Sequence, residues 1–552
     1  MLKILSTKEE RVMKKKILPI ILTIIIWCIM FYIYLPPINI KSYEFWSFVA
    51  VAFVVALCLN MWNIVKIFLT VNRKSDVIDE NIHKFRGVKV VFFLIALLIV
   101  GYVGAMIMSS PVVRSASYSS LIDVKNSNFN EDIKEIDYSQ IPILDKDSAS
   151  ILAERKMGSM VDMVSQYEVS DYYSQINYKE KPVRVTPLEY ADEIKWFTNR
   201  KTGIPAYIRI DMTTQDVELV KLIEGIKYSP SDHFSRDLKR HIRFRYPTAM
   251  FSGMNFEIDD NGIPYWICPV SDKTIGLFGG TDIKGAVIVN AITGEDIYYD
   301  IKDVPQWIDK VFDADLLIEQ YDYYGQLRNG FINSIFGQRD CLKTTEGYNY
   351  IALDDDVWVY TGVTSVSGDL SNVGFVLMNQ RTKETRYYEI SGAEEFSAMS
   401  SAEGQVQHLG YKATFPLLLN VAGEPTYFLA LKDSAGLVKM YAMVNVEKYQ
   451  TVAIGETVEA CERTYKSYLK SNGIVTDTPK DVNTVSGVIE FIKEAVIDGN
   501  TCYFVKLVDN TGIYSIYVKD NIDIITKNVG DNIQFEYTAT EKEGVYKITN
   551  IK

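Results

Sequence analysis

The densest run of side chains able to do chemistry is basic. In SPSDHFSRDLKRHIRFRYP, beginning at Ser229, the cations Arg236, Lys239, Arg240, Arg243 and Arg245 fall within ten residues, with His241 among them. Behind a Ser231 or Asp232 cap the stretch has helical spacing. A helix carrying that many cations can bind an anionic cell-wall polymer or an acidic protein surface. The competing expectation is a solvated helix face that pairs with the carboxylates of its own domain. These five residues form the candidate anionic-partner patch.

Other chemistry is thin. The four histidines, His83, His233, His241 and His408, show no HExxH spacing, so zinc hydrolysis has no ligand set. No GxSxG, P-loop or Rossmann glycine pattern occurs. Gly276, Gly279, Gly280 and Gly285 loosely suggest a phosphate cradle, but they join two predicted strands and read better as a long hairpin loop. Asp259, Asp260 and Asn261 before Gly262, and Asp354 to Asp356, offer oxygens for calcium without the bidentate Glu that completes a loop. Asp or Asn before Gly is turn chemistry first. Cys28 and Cys58 lie in apolar stretches, while Cys268, Cys341, Cys461 and Cys502 stand singly. Carboxylates that pair only in three dimensions leave no local motif, so a glycan-processing pair drawn from distant segments stays open. No catalytic, cofactor or metal residue is assigned.

The elements that must position these residues divide sharply by charge. Residues 1–115 hold 14 Lys and Arg against six Asp and Glu, a surplus of eight, which leaves −20 for the rest of a chain whose total is −12. So acidic a remainder argues against nucleic acid or anionic lipid as its main partner. Residues 17–35, 45–70 and 88–108 are each long and apolar enough to predict a membrane span. Basic residues crowd the N-terminus and the loop between the second and third stretches (Arg73, Lys74, Lys84, Arg86, Lys89), whereas the first loop has only Lys41. The positive-inside rule then places the N-terminus in the cytoplasm and about 440 residues outside. The absence of any Asn-x-Ser/Thr sequon favours a bacterial surface.

Beyond a polar linker at 110–145, one pattern recurs. Its clearest copy runs from Tyr411 to Ala453: an aromatic-Pro entry, a short strand, a Gly-x-Pro turn, an aromatic strand, a second turn and an alternating strand. Tyr246 to Ile301 repeats the order, and stretches from Gly203 and Val357 share its hairpin half. Helical patterns precede the strands, one opening near Asp147 and Ser148, one at Ser229 and one at Gly392. Four degenerate copies predict a tandem α+β array.

Helix followed by a curled antiparallel sheet, with Tyr-rich strands and a TGE- or TKE-type hairpin turn, resembles the PepSY-like repeats of bacterial envelope proteins. Thr293-Gly294-Glu295 with Tyr298-Tyr299 and Thr382-Lys383-Glu384 with Tyr387-Tyr388 carry the likeness, over about 190–455. The resemblance implies non-enzymatic inhibitory, regulatory or assembly roles outside the membrane. At the C-terminus, predicted strands at 485–493, 501–508, 512–518, 532–538 and 545–551, with glycines at the turns, resemble an OB-fold barrel.

The expected fold class is therefore a membrane-anchored α+β protein: a three-helix transmembrane region (1–109), a linker (110–145), tandem helix-plus-antiparallel-sheet repeats (146–455), a helix and linker (456–480) and a small β-barrel (481–552). The expected role is a non-enzymatic scaffold or protein-interaction module of a bacterial cell envelope, multi-pass in the plasma membrane. Its expected partner is a protein or cell-wall polymer outside the membrane, with no nucleic acid and no cofactor. An accessory subunit of a larger membrane complex and a glycan-binding or glycan-processing protein are the alternatives.

Overall fold

The computed structural model describes residues 21–56, 93, 95–135, 141–353, 355–366, 371–474, 483–497, 500–518, 521–539 and 544–552. The N-terminal helices are α1 (Ile21–Tyr34), α2 (Tyr43–Ala56) and α3 (Ile95–Met108), followed by α4 (Pro111–Ser119) after a bend of 43°. Here the expected fold class is corrected. Among the described residues no single helix is long and apolar enough to cross a membrane, and only the bent pair α3–α4 passes by length and composition. The breaks have ordinary causes: Pro36-Pro37 follows the end of α1, and Pro111 follows α3, and neither proline can continue a helix. At 1.5 Å per residue each of α1–α3 covers about 21 Å of a hydrocarbon core about 30 Å thick. The other parts of the three predicted spans lie outside the described residues. In place of a fold built on three transmembrane helices, the chain is rich in β-structure, with several separate sheets.

Four of these sheets follow one strand scheme. In the first, two short strands (Tyr167–Val169 and Ser174–Tyr178) lie end to end along Lys181–Tyr190, and Ile204–Asp211 and Val217–Ile226 continue the antiparallel meander. The second repeats this with Met250–Phe251 and Asn255–Ile258 along Pro264–Ile275, then Gly279–Asn290 and Asp296–Asp300. The third uses Leu342–Thr344 and Asn349–Leu353 along Asp356–Ser365, then Gly374–Asn379 and Thr385–Tyr388. The fourth uses Lys412–Ala413 and Leu417–Val421 along Glu424–Lys432, then Val438–Asn445 and Val452–Gly455. A helix precedes each: α5 (Lys146–Gly158), α6 (Leu238–Arg245), α7 (Ala314–Leu327) and α8 (Glu395–Gln405).

Local chemistry sets these elements. Asp145, two residues before the predicted cap, accepts from the Ser148 amide to open α5, and Asp237 and Asp313 cap α6 and α7 in the same way. The last hairpin of the first three sheets is one turn. Asp211, Asn290 and Asn379 each accept two backbone amides from residues two to three ahead. Thr214, Thr293 and Thr382 then accept from Asp216, Glu295 and Glu384. Gln215, Gly294 and Lys383 occupy the left-handed position that closes the turn. One core packs Ile308, Phe312, Leu317 and Tyr321 between Ile267 and Ile288 of the second sheet and Val359, Val376 and Met378 of the third.

The chain folds as two compact units, Met1–Lys466 and Ser467–Lys552, with the boundary inside the helix Val458–Ser471. In the second unit Asn483–Ile497, Asn500–Leu507, Ile513–Tyr517, Val545–Ile551 and Asn532–Ala539 close into a barrel in that order, the third and fifth strands in sequence pairing parallel. Its core is mainly aliphatic (Ile489, Val505, Leu507, Ile516, Ile533, Ile548) around an aromatic cluster, with the Tyr514 ring 4.8 Å from Phe535 and 5.0 Å from Tyr537.

Candidate functional site

The predicted basic patch lies at the root of the N-terminal helices, and most of it is consumed there. Leu238, Ile242 and Arg243 form the buried face of α6. Arg243, only 3% exposed, donates from Nε to the Leu35 carbonyl at 3.0 Å, and its Nη1 reaches the carbonyls of Tyr246 and Ala249. Burial pulls its pKa down to about 10, so it stays charged at neutral pH without a carboxylate beside it in the hydrogen-bond set. Arg240 sits over the Tyr32 ring at 4.3 Å and bonds the Phe234 carbonyl. Arg236 donates to the Arg200 carbonyl. Arg245 pairs with Asp296 at 2.8 Å, and His241 and Tyr246 converge on the same carboxylate. Lys239 is exposed. Four of the five predicted cations thus join α6 to α1 or to their own domain.

Around this point the root becomes a collar. Ile38 and Asn39 bond the carbonyls of Pro247 and Thr248, and Lys41 bonds both Asp272 oxygens and the Lys273 carbonyl. Tyr43 stacks on Phe278 at 5.1 Å. The Ser109 hydroxyl, one residue past α3, accepts from the amides of Leu277 and Phe278 at the hairpin tip of the second sheet. Tyr118 of α4 donates to the Ser109 carbonyl at 2.7 Å. This tip is the Gly276–Gly280 run. A Cβ on Gly279 would collide with the Ser109 carbonyl and the Tyr118 hydroxyl, and Gly276 and Gly280 take left-handed backbone. The glycines admit the chain leaving α3, a role their spacing alone does not reveal.

Away from the collar the helices expose apolar surface. Ile24, Ile25, Ile29 and Ile33 of α1, Val51 and Val54 of α2, and Leu97 to Val100 of α3 are all exposed, Val100 to 69%. Water penalises such a continuous apolar surface strongly, so it marks an interaction surface.

The second constellation is a pair of carboxylates from distant segments. Glu257, in the short strand Asn255–Ile258, accepts from the amides of Asp309 and Lys310 at 2.9 and 3.0 Å. Asp309 in turn accepts from the Asn177 amide of the first sheet at 2.7 Å, and its other oxygen has no partner. Asn177 also donates to Asp355, and the Gln380 carbonyl holds the amides of Val311 and Phe312. The loop carrying Asp309 therefore fastens the first, second and third sheets together. Burial pushes the Glu257 carboxyl up to about 7, and burial reinforced by Glu257 raises Asp309 as well. Exposures of 0 and 1% leave no path for a substrate to either group, so the pair is a structural latch. A nearby cleft of ≈ 440 Å³ is lined by four carboxylates (Asp132, Glu135, Glu180 and Asp355), by Lys134 and Asn177 and by aliphatic side chains, and no aromatic ring is among its described lining residues.

The remaining candidates resolve simply. Asp259 accepts the amides of Asn261 and Ile263 and makes a turn. Asp355 is raised by burial and by Asp356 and Asp260, so the two acidic turns approach one another. Asp356 is committed to Arg381 and Asn379, and Asp354 lies outside the described residues. Among the described residues no group of three or more His, Cys, Asp or Glu could hold a metal. His233 pairs with Glu193 at 2.6 Å. Cys268, Cys341, Cys461 and Cys502 are buried thiols outside any disulfide, Cys28 is exposed, and Cys58 is outside the described residues. The signal for the missed carboxylate pair was slight: Glu257 alone interrupts a buried strand, and Asp309 sits within the apolar spacing of Trp307, Ile308 and Val311.

No protein-family model matches this sequence, and no curated protein matches it. Among solved structures, the dihydro-heme d1 dehydrogenase NirN in complex with DHE aligns at 8% identity and a TM-score of 0.12, covering 70% of this chain. The chain spans 57% of that protein's length. A polysaccharide lyase aligns at 8% identity and a TM-score of 0.15, covering 68% of this chain and 74% of its own. Likeness at that level carries no argument about fold or activity.

Proposed function

We propose that this chain is a non-enzymatic scaffold of a bacterial cell envelope, held at the membrane by its apolar helices and presenting its β-rich portion to a protein partner outside the cytoplasm. The observation that carries this reading is the collar: exposed apolar helices are fixed by a buried Arg243, by Lys41–Asp272 and by Ser109 to a rigid sheet rather than left on a flexible tether. Open strands support the partner side. Val217–Ile226, Asp296–Asp300 and Val452–Gly455 end their sheets, and Ile223 on the first of them is fully exposed. The closed carboxylate latch, sealed from substrate, favours scaffold over a glycan enzyme built on that pair. The repeated strand scheme supports the resemblance to PepSY-like units, and the barrel's strand order with its parallel pair supports the resemblance to OB-type barrels.

The test combines protease shaving with capture. In right-side-out vesicles the region after residue 110 should be digested, and the tagged full chain should retain a protein partner from gently solubilised membranes. Digestion only in inverted vesicles, or a protein that leaves membranes in carbonate, would refute the reading.

A further inference from the structure

After α7 the chain makes a compact turn, Gly330 to Gln338, that is built inside out. Ile332 is 75% exposed and Phe336 84%, and Ile335 is exposed beside them. The polar side chains of the same turn face inward. Asn333 donates to the Arg339 carbonyl at 2.9 Å and to the Cys341 sulfur at 3.3 Å, and the Ser334 hydroxyl donates to the Phe331 carbonyl at 2.7 Å. The turn is a single π-helical loop, Asn333–Gly337, closed by the Gln338 amide on the Asn333 carbonyl, with Gln338 in left-handed backbone. A solvent-facing turn ordinarily has the opposite arrangement, and nothing in this one lets its three large apolar side chains fold back.

Its position suggests what covers them. Phe331 packs with Tyr118, Ile275 and Leu327, and the Tyr118 ring lies 4.8 Å from Tyr323 of α7. Tyr118 is the residue that bonds Ser109 at the end of α3, and Ile275 borders the hairpin tip that grips Ser109. Through Phe331 and Tyr118 the turn therefore sits beside the collar, at the end of α4. Exposed Arg328, whose guanidinium donates to the Asp340 carbonyl, and exposed Arg339 stand on either side of it.

We infer that the Gly330–Gln338 turn is an interfacial foot that seats Ile332, Ile335 and Phe336 among the headgroups and upper acyl chains of a lipid bilayer. The inference rests on the membrane reading above and adds a second, independent point of lipid contact. Short apolar segments flanked by arginines act in this way: the rings and aliphatic chains enter the interface, while the guanidinium groups stay at phosphate level. Two contacts, helices and foot, would fix the tilt of the sheets over the membrane, which the helix bundle alone does not.

Site-specific fluorescence tests this on the full chain. An environment-sensitive thiol label is placed on Phe336→Cys with Cys28 and Cys58 changed to Ser, and in a second protein on the native, exposed Cys28 with Cys58 changed to Ser. Both are reconstituted into phosphatidylcholine–phosphatidylglycerol vesicles carrying nitroxide lipids with the quencher either near the headgroup or at mid-chain. The expected result is at least twofold quenching of both labels, with the Phe336→Cys label quenched more by the shallow nitroxide than by the deep one. Quenching of the Cys28 label alone overturns the foot, leaves the membrane reading standing and points to a protein on that surface. Quenching of neither label overturns both.

Discussion

Replacing Asp309 with Asn tests the carboxylate latch directly. In the folded chain Glu257 and Asp309 both hold protons well above the ordinary carboxylate range, because burial penalises their charged forms. A group whose folded pKa is raised keeps its full contribution below the unfolded value and loses it as pH rises through the folded value. The window therefore opens near the ordinary Glu value of 4.5 and extends to at least about 7, the value reached by Glu257. Within it the closed latch holds protons that the open state has released, so its stability falls as pH rises, by up to about 1.36 kcal/mol per pH unit for each proton so held. Asn is nearly isosteric, keeps an acceptor for the Asn177 amide and places an amide where an unpartnered oxygen stands. Asp309→Asn removes one of the two raised carboxyls, so it should flatten the pH dependence and leave the latch more stable than the parent at the alkaline end of the window. Hydrogen exchange of peptides covering 172–182 and 304–313, corrected for intrinsic rates and followed from pH 5 to 8, reads the local opening. Parallel profiles for the two proteins, or a variant that opens more readily at pH 8, would refute the reasoning.

Three further outcomes follow from the collar and the edge strands. Arg243→Ala strands the Leu35 and Ala249 carbonyls in a buried setting and should cost about 2–4 kcal/mol, read as faster proteolysis at residues 36–42 in detergent. Gly279→Ala drives a methyl into the Ser109 carbonyl and the Tyr118 hydroxyl and should destabilise the fold by about 1–3 kcal/mol, read as a lower melting temperature, whereas Gly253→Ala, where the added Cβ meets nothing, should not. Ile223→Lys puts a charge on the open edge of the first sheet; it should reduce partner capture severalfold with an unchanged melting temperature, and equal capture would remove that edge from the interface.

Much of the β-rich portion is legible because its turns repeat their chemistry. Thr293-Gly294-Glu295 and Thr382-Lys383-Glu384 mark two hairpins, and the first sheet closes the same turn with Thr214-Gln215-Asp216, a copy hidden by having Gln where the others have Gly and Lys. The fourth unit, whose repeat looks clearest, has lost it: there Asn445 bonds the Lys448 amide alone. Hydropathy predicted three spans at 17–35, 45–70 and 88–108, whereas among the described residues the apolar helices there are Ile21–Tyr34, Tyr43–Ala56 and Ile95–Met108, and only the bent pair α3–α4 is long and apolar enough. The basic helix looked like a binding face because sequence lists cations and not the carbonyls they meet; Arg243 is satisfied entirely by backbone oxygens. The latch was invisible for a different reason: Asn177, Glu257 and Asp309 come together only once three sheets have packed.

The segment between the helices and the first sheet determines when this chain can finish folding. Val124–Asn126 pairs in parallel with Thr385–Tyr388, Asp132 bonds Tyr388 256 positions later, and the Ile133 carbonyl and Asp145 are met by Asn420 and Lys432, each 287 positions away. Residues made early in synthesis thus have no resting place until the third and fourth units exist. Each unit can close its local meander as it emerges, but the strap from 124 to 145 must wait, undocked, for more than half the chain to follow. Such long loop closures are slow, and they make the last docking step a checkpoint for completeness: a product truncated before residue 385 keeps an unsatisfied strap that quality-control proteases can recognise.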